Sequence, residues 1–388
     1  MNKYKSLIHF SGDDFWISNP HSRFHITKAF WKLGYKVLWV NPIGVRFPSL
    51  KKKGTSSRIL RKIKSLAKLL RKADDNFYVF TPFIIPSFKK GKIQTLNNLL
   101  VQIQIKMIQF ILKIKNPILF YTSPLYANTL DFIKSSSTIY YYSDKYTHFR
   151  ELSDENKEFL ISLDEKLYKN VNLILCASML LYNDLKSKTN VEVRYFPHQV
   201  DFEFFNKYEK NHVPEDIKNI PKPIIGYYGT LTPSNDWELI EYLALKRPDY
   251  NFVLIGRKEI HLGKIDNLKN VFFLGKKDYG KLPAYASKFD VCIMFWTMKE
   301  WIKNSSPLKV KEYLALKKPV VSTYISEVEK KFGEVVSIAN NKEEFLQYLD
   351  GALTKDNSAK LEKGIEIVKK ESWNKVVAKL EKEISNKV

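Results

Sequence analysis

The chain has 388 residues, too many for one ordinary hydrophobic core, so two domains are expected. Its hydrophobic fraction of 44% is that of a globular protein, and Lys+Arg of 64 against Asp+Glu of 41 gives a net charge of +23. That balance points to a polyanionic partner: nucleic acid, an anionic membrane or a phosphorylated substrate.

No run of about 18 uncharged apolar residues is present, so no membrane-spanning helix is expected. The N-terminal "MNKYKSLIHFSGDD" runs straight into a strand, which argues against a signal peptide and for a cytoplasmic protein. Cys176 and Cys292, the only cysteines, lie in the apolar runs "LILCAS" and "DVCIMF" and read as buried structural thiols in a reducing compartment.

In chain order, the predicted strands of the first half are 6–11, 36–41, 77–82, 117–123, 138–144, 173–178 and 191–197. "HSRFHITKAFWKLG" is a helix between the first two, ending at Gly34. Two segments interrupt the alternation. Residues 56–72 carry Ile59, Ile63, Leu66 and Leu70 at helical spacing, and from Arg46 to Lys72 there are eleven Lys/Arg and no Asp/Glu. This reads as a basic amphipathic helix on an anionic membrane, contacting it through Lys51, Lys52, Lys53, Arg58, Arg61, Lys62, Lys64 and Lys68. The alternative is a helix packed on the sheet with its charges in solvent. Residues 91–115 form a longer, more apolar helix, for which packing into the core is favoured over lying on a membrane surface.

The polar, proline-bearing stretch 206–222 reads as a linker. Beyond it, strands are predicted at 223–229, 251–256, 271–275, 291–296, 319–323 and 335–339, and a helical segment at 358–387 closes the chain. Strands alternating with amphipathic helices imply parallel sheets with crossover helices. The fold class is therefore α/β, with two Rossmann-like domains: residues 1–205, then 223–370, with 371–388 as a terminal helix.

In open parallel sheets, ligands sit beyond the carboxyl ends of the strands. In the second half those tips are "GYYGTLTPSNDWE", "LIGRKE", "FLGKKDY" and "FWTMKEW", followed by "NSSPLK". Gly229 and Thr230 allow close backbone approach. Arg257 and Lys258 bring cations to the same rim. Ser305, Ser306, Pro307, Leu308 and Lys309 form the N-terminal end of a helix, where amides and dipole favour an anion. Together these suit a diphosphate. Glu312, about one turn into that helix, is placed to accept hydrogen bonds from ribose hydroxyls; read structurally, it is a dipole-favoured glutamate in a first turn.

The run "GYYGTL…DWELIEYLALKRPDYNFVLIGRKE…NVFFLGKKDYGKLPAYASKFDVCIMF…SPLKVKEYLALKKPVVST" resembles the nucleotide-sugar-binding half of GT-B glycosyltransferases. It looks most like the group 1 transferases of bacterial surface polysaccharides, including the teichuronic-acid-biosynthesis type. The likeness covers about 220–345, and "YYYSDKYTHF", "LILCASMLLYNDL" and "YFPHQVDFEFF" extend it back to about 138. "ESWNKVVAKL" resembles the family's final helix, which crosses back to the N-terminal domain. Two departures stand out. Of the family's Glu-x7-Glu pair, Glu312 matches the second member, but Asn304 occupies the first position. Gln199 replaces a customary glycine.

The resemblance implies an acceptor domain in the first half. Gly12 in "HFSGDDFW" would approach the diphosphate or sugar, and Asp13, Asp14, Asp144 or His148 would orient the acceptor or take its proton. Read structurally, the two loop aspartates are caps and His148 is an exposed loop histidine. "GKKDYGKL" has Walker-A spacing, but Leu282 stands where the magnesium-binding hydroxyl belongs. No metal-ligand cluster is found in the sequence, and the resemblance implies metal-independent chemistry without a cofactor.

The expected function is glycosyl transfer from a UDP- or GDP-linked sugar to a lipid-linked or glycan acceptor at the inner face of the cell membrane, with retention of configuration favoured. The alternatives are a nucleotide-sugar 2-epimerase on the same fold, or a basic nucleic-acid-binding protein. The second is disfavoured because residues 46–72 carry only Phe47 among their cations.

Overall fold

The computed structural model describes residues 5–16, 18, 21–43, 69–85, 92–143, 154–206, 213–297 and 307–386. Asp144, His148, Asn304, Ser305, Ser306 and the eight basic residues from Lys51 to Lys68 lie outside them. The chain divides into two compact units, Met1–Pro197 with Val376–Val388, and His198–Lys375. The Phe202–Asn206 helix thus belongs to the second unit.

The first unit is built on eight strands: β1 (Ser6–Phe10), β2 (Lys36–Val40), β3 (Leu70–Asp74), β4 (Phe77–Phe80), β5 (Ile118–Tyr121), β6 (Ser137–Tyr142), β7 (Leu173–Cys176) and β8 (Glu192–Tyr195). They lie in the order β3-β4-β2-β1-β5-β6-β7-β8, and every pairing is parallel except β3 with β4. β1, β5, β6 and β7 are buried throughout, which is why they read as unbroken apolar runs such as ILFY and LILC.

β3 corrects the C-terminal end of the helix expected over 56–72; residues 56–68 lie outside the described residues. Leu70, Arg71 and Lys72 are extended and pair antiparallel with Phe80, Val79 and Tyr78. The cause is local: Asn76 takes a φ of +58°, a left-handed turn conformation that Asn tolerates, and it folds the chain into a hairpin. Leu70, the last member of the helical spacing that starts at Ile59, lies in a strand.

The second unit has six strands: β9 (Ile224–Tyr228), β10 (Asn251–Ile255), β11 (Val271–Gly275), β12 (Val291–Met294), β13 (Val320–Thr323) and β14 (Ser337–Ala339). All pairings are parallel, in the order β11-β10-β9-β12-β13-β14. This is the doubly wound order that reverses direction between its first and fourth strands. Ile225, Val253, Ile293 and Val321 pack in one core with Leu243, Val310, Leu314, Phe345 and Leu349 from the flanking helices. The closing helical segment is two helices, Ser358–Lys370 and Trp373–Ser385. From Val376 onward the chain belongs to the first unit, where Tyr35 donates to Glu381 Oε1 at 2.8 Å.

Candidate functional site

In the second unit the sheet reverses between β9 and β12, so a crevice is expected at their carboxyl ends. Four features line that edge. Gly229 follows β9 with a φ of +153°, which disfavours any side chain, and a Cβ there would sit 2.4 Å from Lys309 Cε and 2.8 Å from the Tyr227 hydroxyl. Gly256, at the tip of β10, has a φ of +155°, and its hypothetical Cβ would lie 1.7 Å from the Gly229 carbonyl oxygen. The two strand tips are therefore in backbone contact, and Gly229 N–H donates to Ile255 O at 2.8 Å.

Lys309 reaches over this edge from the first turn of the Leu308–Ala315 helix. Its Nζ is 5.8 Å from the Tyr227 ring centroid and 5.4 Å from that of Trp296. Trp296 Nε1 donates to the Tyr227 hydroxyl at 3.3 Å, so the two aromatics are held together beneath the cation. Pro307 occupies the cap position and has no polar side chain to cover the first-turn amides. An ammonium over a glycine at a helix N-terminus is a cradle for an anion.

Glu312, one turn further on, is 3% exposed. Tyr228 donates to its Oε2 at 2.7 Å and Tyr279 to its Oε1 at 3.3 Å. Burial raises the Glu312 carboxyl above its ordinary range, and the Tyr228 bond, the charge of Lys309 and the Tyr279 bond offset part of that rise. Burial, followed by the charge of Glu312, pushes both tyrosine hydroxyls upward, so both remain donors. The Tyr279 ring stacks on Phe204 at 5.4 Å and meets Phe205 edge-on at 5.8 Å. A carboxylate offers about four acceptor sites, and the tyrosines occupy two, which leaves capacity for a diol.

The same helix buries Lys311, which is 1% exposed. It donates to the His198 carbonyl and to Gln199 Oε1 at 3.2 Å, and pairs with Glu371 Oε2 at 2.8 Å. Burial, with Lys331 nearby, lowers its ammonium to about 8. The glutamine that replaces the expected glycine thus anchors this lysine.

Residues 222–355 match the family described as Glycosyl transferases group 1. That match lies within the second unit. TuaH of Bacillus subtilis (strain 168), a protein assigned to teichuronic acid biosynthesis as a glycosyltransferase, is 24% identical over 186 residues, 46% of this chain and 47% of that one. The match spans about half the length of that curated relative. Among solved structures, sucrose-phosphate synthase from Thermosynechococcus elongatus is 12% identical with a TM-score of 0.69, covering 98% of each chain. The E. coli trehalose-6-phosphate protein solved with UDP-2-fluoro glucose is 11% identical, TM-score 0.66, covering 98% of this chain and 99% of that one. HepE of Anabaena, solved with UDP and glucose, is 13% identical, TM-score 0.65, covering 99% and 100%. These likenesses establish the GT-B fold.

Within the second unit, Gly229, Pro307, Leu308, Lys309 and Glu312 gather at one strand edge, with Thr230 exposed beside them. Arg257 and Lys258 pair through their backbone with Leu231, next to Thr230, but their side chains are engaged by acidic neighbours. Arg257 is exposed and pairs with Glu259, while Lys258 pairs with Asp266 and lies 4.6 Å from the Phe273 ring centroid. Sequence reasoning missed Tyr227, Tyr228, Tyr279 and Trp296. "GYY" and "FW" at strand ends look like core aromatics, and only the fold sets the Tyr227 and Trp296 rings against Lys309 and the Tyr228 and Tyr279 hydroxyls on Glu312.

In the first unit the β1 loop forms its own network. Asp13 N–H donates to Ser11 Oγ, which donates back to Asp13 O, both at 2.9 Å. Arg23 Nη1 donates to Asp13 Oδ2 at 3.1 Å and Arg23 Nη2 to Ser143 Oγ at 2.7 Å. Gly12 donates to Thr122 Oγ1 at 3.3 Å, and a Cβ there would sit 3.1 Å from Arg23 Nη1. Asp14 turns inward on its own loop, accepting from Trp16 N–H at 2.9 Å. His9 is fully buried between Thr27 Oγ1 at 2.8 Å and Thr122 Oγ1 at 2.9 Å. Burial, helped by the charge of Arg23, holds its imidazole well below the ordinary range, so it stays neutral. Neither His9 nor Arg23 is marked by any motif.

Proposed function

We propose that this chain is a glycosyltransferase that uses a nucleoside-diphosphate sugar, UDP- or GDP-linked, with its diphosphate at Gly229 and Lys309 and its ribose at Glu312. The observation that carries this reading is the Lys309 ammonium lying over Gly229 at a strand edge within the segment that matches the group 1 family, one turn from a buried carboxylate. In the reaction the bond from the anomeric carbon to the diphosphate oxygen breaks and a bond to an acceptor hydroxyl oxygen forms. The leaving diphosphate keeps the electron pair, and Lys309 with the helix amides stabilises its charge without requiring a metal.

The acceptor's proton passes to a base. Asp13, oriented by Arg23, is our candidate in the β1 loop, since Asp14 is engaged in its own turn. Asp144 and His148 remain candidates for the base, Ser305 and Ser306 with Arg257 and Lys258 for phosphate contacts, and Asn304 for a hydrogen bond to a sugar hydroxyl. The acceptor we propose is lipid-linked or a glycan, with retention of configuration; the likeness to TuaH, named for teichuronic acid biosynthesis, supports the surface-polysaccharide context alone.

The test is release of nucleoside diphosphate from a panel of UDP- and GDP-sugars, with and without a bacterial lipid extract as acceptor source. The proposal predicts release that depends on the extract and is lost in Lys309→Ala. Appearance of a 2-epimer without acceptor would replace it with the epimerase reading.

A further inference from the structure

The Lys92–Ile111 helix was expected to be a core helix, and one face is: Asn97, Val101, Ile105 and Ile108 are buried. A second apolar face is not. Ile93, Leu96, Leu99, Ile103, Met107, Phe110 and Ile111 are between 43% and 86% exposed, Phe110 the most. At about 100° per residue these seven fall within one arc of about 120°, distinct from the core arc and from the polar arc of Asn98, Gln102, Lys106 and Gln109. The helix therefore has three faces, and the sequence period sums two of them. Phe83 and Ile85, also exposed, are tied beside the outer face: Phe83 N–H donates to Gln104 Oε1 at 2.9 Å and Ile85 N–H to Asn97 Oδ1 at 2.8 Å.

Scattered exposed apolar residues need no explanation, but a contiguous stripe along about 30 Å of helix does. Charge selects the occupant. From Asn76 to Leu130 the sequence has no Asp or Glu, and its cations are Lys89, Lys90, Lys92, Lys106, Lys113 and Lys115. Of the four within the described residues, Lys92, Lys106, Lys113 and Lys115 are all exposed. The preceding stretch, Arg46 to Lys72, is also purely basic. Among the described residues no helix is long and apolar enough to cross a membrane. An apolar stripe on a helix whose only charged residues are cations fits a surface that is apolar within and anionic at its rim.

We propose that the outer face of the Lys92–Ile111 helix docks on an anionic lipid bilayer, lying in the interface with Phe110, Met107 and Ile103 inserted and the lysines among the headgroups. The docking element is thus this helix, rather than the basic stretch alone. The inference stands independently of the glycosyl-transfer reading.

The experiment is cosedimentation of the full chain with phosphatidylcholine vesicles and with vesicles containing phosphatidylglycerol. The comparison is with Met107→Glu/Phe110→Glu and with a control on the other unit, Leu245→Glu, which is 63% exposed. Wild type and the control should partition onto the anionic vesicles, less so at raised salt, and the double variant should lose at least about tenfold. Its thermal midpoint should be unchanged, because both substitutions lie in solvent. A Phe110→Cys variant carrying an environment-sensitive dye should blue-shift with anionic vesicles; the native Cys176 and Cys292 are buried and will not label. Equal sedimentation of the double variant and wild type would overturn the proposal. So would a wild-type dimer that the double variant converts to monomer, since a second copy would then cover the face.

Discussion

The meeting of the β9 and β10 tips can be tested through Gly256→Ala. Gly256 has a φ of +155°, and its Cβ would lie 1.7 Å from the Gly229 carbonyl oxygen. A side chain at such a φ costs ~1–3 kcal/mol. The overlap adds to this, because ordinary contacts involving carbon are about 3.5–4.0 Å and the atom in the way is backbone. A total of ~4 kcal/mol or more follows, in the class of severe substitutions. Gly263 is the control: its φ is +57° and nothing lies within 4 Å of its ideal Cβ. Alanine there pays only the left-handed backbone cost, ~1–2 kcal/mol. For a unit of this size each kcal/mol moves the midpoint by ~2–4 °C, so thermal unfolding should show losses of ~8–16 °C at Gly256 and ~2–8 °C at Gly263. Any Gly256→Ala protein that folds in the cold should also bind nucleotide poorly, because the Gly229 tip must shift. Equal losses at the two sites would refute the claim that backbone contact, rather than φ, shapes this edge.

Tyr228→Phe removes the shorter of the two hydrogen bonds to a buried carboxylate, a loss of ~1.5–3 kcal/mol, readable as a lower urea midpoint at unchanged slope. Glu312→Gln should change the pH dependence of stability. Because burial raises the folded carboxyl, that group favours the folded state below the ordinary carboxylate range and loses that contribution as pH rises through its folded value. The variant should therefore gain on wild type in parallel denaturant titrations as pH increases from about 4 toward neutrality, while losing nucleotide binding. Asp13→Asn, whose ion pair with Arg23 is partly exposed, should cost no more than ~1 kcal/mol of stability. Its transfer rate should fall far more than that, with donor affinity unchanged.

Much of this protein was legible in its sequence. Strands such as β5, β7 and β12 are buried on both faces, so their apolar runs left no competing reading. The helix N-terminus at Pro307 and Glu312 one turn later were legible because helix geometry alone fixes their relation. Where several faces shared one period, sequence reasoning failed. Leu70 completed a helical spacing but belongs to a hairpin strand set by Asn76. The apolar positions of Lys92–Ile111 sum a core face and an exposed face. Side-chain pairing across distant segments was also invisible: the Tyr279–Glu312 bond, the Arg23 bridge from Asp13 to Ser143, and the engagement of Arg257 and Lys258 by their own acidic neighbours. Two adjacent cations at a strand tip were legible, but not their pairing with Glu259 and Asp266.

The most direct test of the central claim is a calorimetric titration of wild type and Lys309→Ala with a nucleoside, its monophosphate and its diphosphate, in the uridine and guanosine series. A diphosphate held by Lys309 at Gly229 predicts that one diphosphate binds wild type best. It also predicts that Lys309→Ala weakens that ligand by about tenfold or more, the ~1.4 kcal/mol or more expected of a lost charge-assisted bond, while leaving the nucleoside's weak binding unchanged. Equal affinity of wild type and variant for the diphosphate would contradict the account and move the phosphates elsewhere in the fold.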